Sequence, residues 1–191
     1  MNTRSAFELG RHSVFHFLVS ALLFMTTPAQ AIFITSSLAP KAVGESIKTY
    51  VPASNISATG KLGSIGTFTN DSRRWGIGDG IVLSTGFVSD YGDGPNESPA
   101  TSTVFGTSGD ARLTALAGYP SFDASTVSFD FKATSNKVSF DFVFGSEEYK
   151  EYVGSEFNDA FGVWLTDARG KRDQVVFDRD KAVDVPAIDA G

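Results

Sequence analysis

Residues 126–144 read TVSFDFKATSNKVSFDFVF. In Thr126 to Lys132 the apolar Val127, Phe129 and Phe131 alternate with Thr126, Ser128 and Asp130, and in Lys137 to Phe144 Val138, Phe140, Phe142 and Phe144 repeat the pattern. A period of two marks a strand with one face on a core, because successive side chains of an extended chain point to opposite faces. Two such runs joined by Ala-Thr-Ser-Asn predict a β-hairpin. The hairpin would set five phenylalanine rings on one face, a large apolar core for one domain.

Outward from this stretch the chain keeps the same style. Gly, Ser, Thr, Asn and Asp punctuate short apolar runs, the composition of an all-β domain. Gly80 to Val88 predicts a strand, and Ala160 to Thr166 with Gln174 to Asp178 predict two more around an Asp-Ala-Arg-Gly-Lys turn. Ser89 to Ser108 is polar and rich in Gly, Asp, Asn and Pro, a loop long enough to suggest function. Helix is confined to Ser36–Lys48, against Pro40 and Gly44, and to a turn over Asp110–Leu116 with Asp110 as N-cap. The expected fold is all-β: an antiparallel β-sandwich, jelly-roll-like, with long polar loops and at most short helical turns.

The N-terminus reads differently. Arg4 and Arg11 precede an apolar run from Val14 to Met25, and Ala29-Gln30-Ala31 supplies a small-x-small cleavage pattern. The run is short for a membrane span, so residues 1–31 are expected to be a removable signal peptide and 32–191 a single exported domain. Export to the secreted or cell-surface fraction follows, with no transmembrane segment in the mature chain. At the other end the chain closes on Pro-Ala-Ile-Asp-Ala-Gly without an apolar tail or basic cluster.

Processing also narrows the chemistry. The chain carries 16 basic and 22 acidic residues; without Arg4, Arg11 and Glu8 the balance is 14 to 21, net −7. An acidic domain of this kind is not expected to bind nucleic acid. Both histidines, His12 and His16, lie before Ile32, and there is no cysteine. Serine and cysteine nucleophile systems that rely on histidine are excluded from the mature chain, as are the usual zinc sites and disulfides.

What remains is an acidic stretch, GSEEYKEYVGSEFNDAFGVWL at Gly145–Leu165, set between two apolar runs. Glu147, Glu148, Glu151, Glu156, Asn158 and Asp159 offer the hard oxygen donors that calcium takes, and Asp90, Asp93, Asn96 and Glu97 offer more upstream. The spacing does not follow the EF-hand loop. The plainer reading is that these are solvated loop residues, with Asn158 and Asp159 turning the chain into the next strand. A glycan hydrolase would need two carboxyls about 5–9 Å apart across a bond, for which Glu147 with Glu151, or Glu148 with Asp159, are the available pairs. A lectin would use Tyr149 and Tyr152 as a stacking platform for a glycan.

Several motifs in order carry a resemblance. GIGDGIVLSTG (Gly76–Gly86), GPNES (Gly94–Ser98), GDARLTAL (Gly109–Leu116), FDASTVSFDF (Phe122–Phe131) and FVFGSEEYKEYVGSEFNDAFGVWL (Phe142–Leu165) together resemble the bacterial choice-of-anchor L domain family. The resemblance implies an exported surface domain, joined in different members to different sorting or anchoring signals, and it implies no enzymatic activity. Domains of this family continue with more strands before an anchor, so the resemblance also implies that the domain here lacks its last strands and its anchor. The acids shared in the family map onto Glu147, Glu148, Asn158 and Asp159, for which the resemblance implies a structural or calcium-holding role. The expectation is therefore a non-enzymatic domain for attachment or matrix interaction, with an extracellular partner or glycan, no catalytic residues, and calcium as its one candidate cofactor.

Overall fold

A computed structural model describes residues 2–8, 13–19, 33–36, 39–70, 76–91, 103–146, 158–175 and 183–184. For the strands at 2–8, 13–19 and 183–184 the description is of the backbone. The described chain is all-β with two short helices.

The strands in chain order are β1 (Asn2–Glu8), β2 (Ser13–Val19), β3 (Phe33–Ser36), β4 (Ala53–Thr59), β5 (Ile65–Thr69), β6 (Gly80–Leu83), β7 (Ser125–Phe131), β8 (Lys137–Val143), β9 (Ala160–Asp167), β10 (Arg172–Gln174) and β11 (Val183–Asp184). Every pairing between them is antiparallel. The main sheet runs β10-β9-β2-β7-β4, with β11 also on β9; β3-β5-β6 form a second sheet and β1-β8 a two-stranded ribbon. One core cluster joins Val127, Phe129 and Phe131 of β7 and Phe161 and Val163 of β9 to Ile65 of β5, Leu83 of β6 and the half-buried Phe140 and Phe142 of β8. The two layers of the sandwich meet there.

The predicted hairpin is corrected by this topology. Strands β7 and β8 are not paired: β7 lies between β2 and β4, whereas β8 pairs with β1. Their connection is an arch that carries the chain from the main sheet to the β1-β8 ribbon. The Ala-Thr-Ser-Asn link lacks the Asn-Gly or Asp-Gly pair that a tight hairpin turn needs, and Ser135 instead folds locally, its hydroxyl donating to the Lys137 carbonyl at 2.7 Å. An arch also serves the rings better. Phenylalanine rows on facing strands can interdigitate across a core, and the Phe142 ring meets Phe161 of β9 at 4.9 Å between centroids.

The hairpin expected around Asp-Ala-Arg-Gly-Lys does form, as β9 and β10, and its second strand starts at Arg172 instead of Gln174. The Asp167 side chain organises the turn by accepting from the N–H groups of Arg169 and Lys171 at 2.8 and 2.9 Å. The strand expected over Gly80–Val88 stops at Leu83, and a 3-10 turn occupies Val88–Tyr91. Helix α1 (Pro40–Lys48) begins with proline at its first turn, where the missing N–H costs nothing. Its Val43 and Ile47, four apart on one face, are buried in the core cluster.

Residues before Ile32, set outside the folded domain by the cleavage pattern, hold two strands, β1 and β2. Val14, Phe15, Phe17, Leu18 and Val19 are strand-favouring apolar types, and β2 pairs with β7 on one side and β9 on the other.

Candidate functional site

Three of the motifs quoted above meet around helix α2 (Ala111–Ala117). Asp110 caps it as the sequence predicts: its carboxylate accepts from the Arg112 backbone N–H at 2.8 Å. The Arg112 guanidinium returns to the same carboxylate at 3.0 and 2.9 Å, and this hydrogen-bonded cation beside it holds the Asp110 carboxyl below its ordinary range. The helix is bracketed from the far side by Ser121, whose hydroxyl accepts from the Asp110 N–H at 3.0 Å and lies 2.8 Å from the Thr114 hydroxyl. Only glycine fits at 109. A Cβ there would lie 1.9 Å from the Ser121 carbonyl oxygen.

Asp123 is the most heavily engaged carboxylate among the described residues. It is 7% exposed and adopts φ 51°. Its oxygens accept from the N–H groups of Phe105 at 3.0 Å, Gly106 at 3.3 Å and Thr107 at 2.5 Å, and from the Thr107 hydroxyl at 2.8 Å. Burial pushes its pKa up, but these donors together favour the charged form more strongly and hold it below the ordinary 3.8. One side chain thus fastens 105–107 to the start of β7. The N–H of Asp123 reciprocates toward the Thr107 carbonyl at 3.1 Å.

Helix α2 then packs on β9. Leu113, Ala160 and Trp164 form a second buried cluster on the face of β9 opposite Phe161 and Val163. Strand β9 is consequently buried on both faces, which explains why Ala160–Trp164 is an unbroken small or apolar run without alternation. The Arg112 guanidinium lies 5.0 Å from the centre of the Trp164 ring, and Gly162 leaves the space that this ring fills, since a Cβ would sit 2.1 Å from it.

The acidic stretch is attached at the edge of this assembly. At one end Ser146, buried as the chain leaves β8, donates its hydroxyl to the Asp159 carboxylate at 2.7 Å. Beside it Asn158 donates from Nδ2 to the carbonyl of Ala117, in the last turn of α2, at 3.1 Å. Asn158 and Asp159 therefore do what the plainer sequence reading asks, closing the base of the stretch just before β9. Glu147 and Glu148, the other two expected calcium ligands, lie outside the described residues, as do Tyr149, Glu151, Tyr152, Glu156, Asp93, Asn96 and Glu97. Asp90 is described, and it accepts from the Thr103 hydroxyl at 3.3 Å. No group of three or more His, Cys, Asp or Glu able to hold a metal occurs among the described residues.

Two polar features escaped the sequence reading. Asp123 sits in the FDAST motif, but nothing in the local pattern says that its partners come from 105–107. The buried serines Ser64, Ser84 and Ser125 form the other. The Ser125 hydroxyl lies 2.7 Å from both the Ser64 hydroxyl and the Ser84 carbonyl, tying β7 to the ends of β5 and β6. They read as a strut between strands β5, β6 and β7.

The choice-of-anchor L domain profile matches residues 33–189, and the match covers the helix bracket, the Asp123 clasp and both ends of the acidic stretch. The chain belongs to the choice-of-anchor L domain family. Comparisons with curated proteins and with solved structures matched nothing. Membership of this family points to an exported or surface-associated protein. The match starts at residue 33. No described helix is long and apolar enough to cross a membrane.

Proposed function

We propose that this choice-of-anchor L domain is a non-enzymatic attachment module, displayed on or released from the cell surface, which uses its acidic stretch to meet an extracellular partner or glycan. The observation that carries the reading is the way the motif residues are spent. Asp110, Asp123, Asn158 and Asp159 are all engaged in fastening helix and chain ends to one another, which is the work of a scaffold that presents a segment. Antibody labelling of intact cells, together with analysis of the culture medium, tests it. The protein is expected outside the cell, and confinement to the cytoplasm would sink the idea. Turnover on a polysaccharide panel that disappears in Glu148→Gln would instead establish the hydrolase reading.

The finer part of the proposal is that calcium orders the stretch through Glu147, Glu148, Asn158 and Asp159. These are hard oxygen donors of the kind calcium prefers, and two of them are already positioned by Ala117 and Ser146. Thermal unfolding of the protein in EDTA and in millimolar calcium provides the check. Ligand binding to the native state raises the melting temperature by mass action, so calcium should raise it in the parent and much less in Asp159→Asn. A melt indifferent to calcium leaves the acids as loop polar groups.

A further inference from the structure

The place of β2 in the main sheet has a consequence for the leader. Ser13–Val19 lies antiparallel to β7, from Ser13 opposite Phe131 to Val19 opposite Ser125. It is also antiparallel to β9, from Ser13 opposite Asp167 to Leu18 opposite Gly162. Strands β7 and β9 are therefore parallel to each other and two strand spacings apart, about 9–10 Å. They cannot bond directly while β2 is between them. Without it, two facing rows of backbone N–H and C=O groups would open in the middle of the sheet, beside the buried Val127, Phe129, Phe131, Phe161 and Val163.

The outer edges of the same sheet look different. Strand β4 carries a bulge between Ser54 and Ser57, with Asn55 in a left-handed conformation and its amide on Asp130 at 2.6 Å. Strand β10 presents the exposed Arg172 and Asp173. Bulges and charges are how edges are kept from pairing. The inner seat has no such guard. The strand that fits it needs apolar residues on the parity set opposite the buried Val127 and Phe129 of β7 and Val163 of β9. Ser13–Val19 meets that demand with Phe15 and Phe17, while Val14, His16 and Leu18 occupy the other parity.

The leader also matches the β7–β8 arch as a unit. Strand β1 pairs with β8, from Glu8 opposite Lys137, while β2 pairs with β7, from Ser13 opposite Phe131. Residues 8 and 13 thus lie opposite residues 137 and 131, the two ends of the β7–β8 connection.

We propose that the seat between β7 and β9 is a strand-acceptor site, and that Ser13–Val19 of this chain's own leader is its occupant while the leader is attached. The apolar run then has two exclusive uses: a targeting signal while the chain is unfolded, and a central strand once it folds. Removal of residues 1–31 vacates the seat. The inference stands on strand pairing alone and holds whether or not the protein reaches the surface.

Hydrogen exchange on the full 191-residue protein, made without membranes so that the leader stays attached, tests it. The amides of Ser13–Val19 should be slowed on the order of 100-fold or more relative to an unfolded chain, together with those of β7 and β9. Phe15→Pro, which removes a ladder N–H, should speed exchange in β7 and β9 about tenfold or more, while Ser20→Pro, outside the strand, should not. Severing the folded chain at a protease site built into Thr27–Gln30 should leave residues 1–26 bound on gel filtration. Exchange of Ser13–Val19 at unfolded rates beside protected β7 and β9 amides would overturn the proposal. So would protection of β7 and β9 that rises with protein concentration, since a second copy would then fill the seat.

Discussion

The pentapeptide Val-Ser-Phe-Asp-Phe occurs twice, at 127–131 and at 138–142, and the two copies have different fates. In β7 Val127, Phe129 and Phe131 are buried, at 0%, 5% and 5% exposure; in β8 Val138, Phe140 and Phe142 are only half-buried. Both copies alternate, and both turn their rings toward the core. The first lies inside the main sheet, flanked by β2 and β4, while the second belongs to a two-stranded ribbon. Local sequence sets the period and the face. The number of neighbours, which only the topology supplies, sets how much each ring is worth.

That difference should show most strongly in paired truncations. Phe129→Ala is expected to destabilise the protein by about 3–5 kcal/mol, the usual cost of removing a buried ring, and Phe140→Ala by about half as much. Urea unfolding of the two variants measures both. Equal losses would break the comparison and mean that the ribbon is as tightly packed as the sheet.

Asp123 extends the contrast from rings to charges. Asp123→Ala strands several partly buried N–H donors and should cost about 2–3 kcal/mol, whereas Asp130→Ala, which loses one exposed contact to Asn55, should cost under about 1 kcal/mol. The pH dependence has a definite sign. Because the folded state holds the Asp123 carboxyl below 3.8, its contribution is present above that value and is lost as pH falls through the lower, folded one. The melting temperature of the parent should therefore drop more steeply below about pH 4 than that of Asp123→Asn.

Smaller effects sharpen the picture around α2. Gly109→Ala forces backbone apart at Ser121 and should cost about 1–3 kcal/mol, read as faster amide exchange across 111–117. Arg112→Gln loses a part-exposed ion pair and the contact with Trp164, for about 1 kcal/mol. The accompanying change in tryptophan emission, measured in a Trp75→Phe background that leaves Trp164 as the emitter, would place the loss at Trp164 and distinguish it from general loosening.

The fold was largely legible where one residue type speaks for itself. The alternation in β7 and β8, Asp110 as a cap and the turn ahead of β10 follow from local chemistry and hold. The pairing of β7 with β8 did not follow, because a five-residue link between alternating runs suits an arch as well as a hairpin, and the choice is made by distant strands. Of the candidate site, Asn158 and Asp159 are found bonded to Ala117 and Ser146 just ahead of β9, partners the local pattern does not name. The Asp123 clasp likewise depends on donors sixteen to eighteen positions away. The serine strut spans still greater separations, 41 and 61 residues, and leaves no local trace.

The contact between Ser146 and Asp159 fixes the two ends of the chain that bound residues 147–158. The free energy of holding two such ends together grows only with the logarithm of the length between them, about 0.6 kcal/mol per doubling. Insertions or deletions before Asn158, which is itself tied to Ala117, therefore have little leverage on the strands beneath. The framework tolerates a different length at this position while the clasp stays the same.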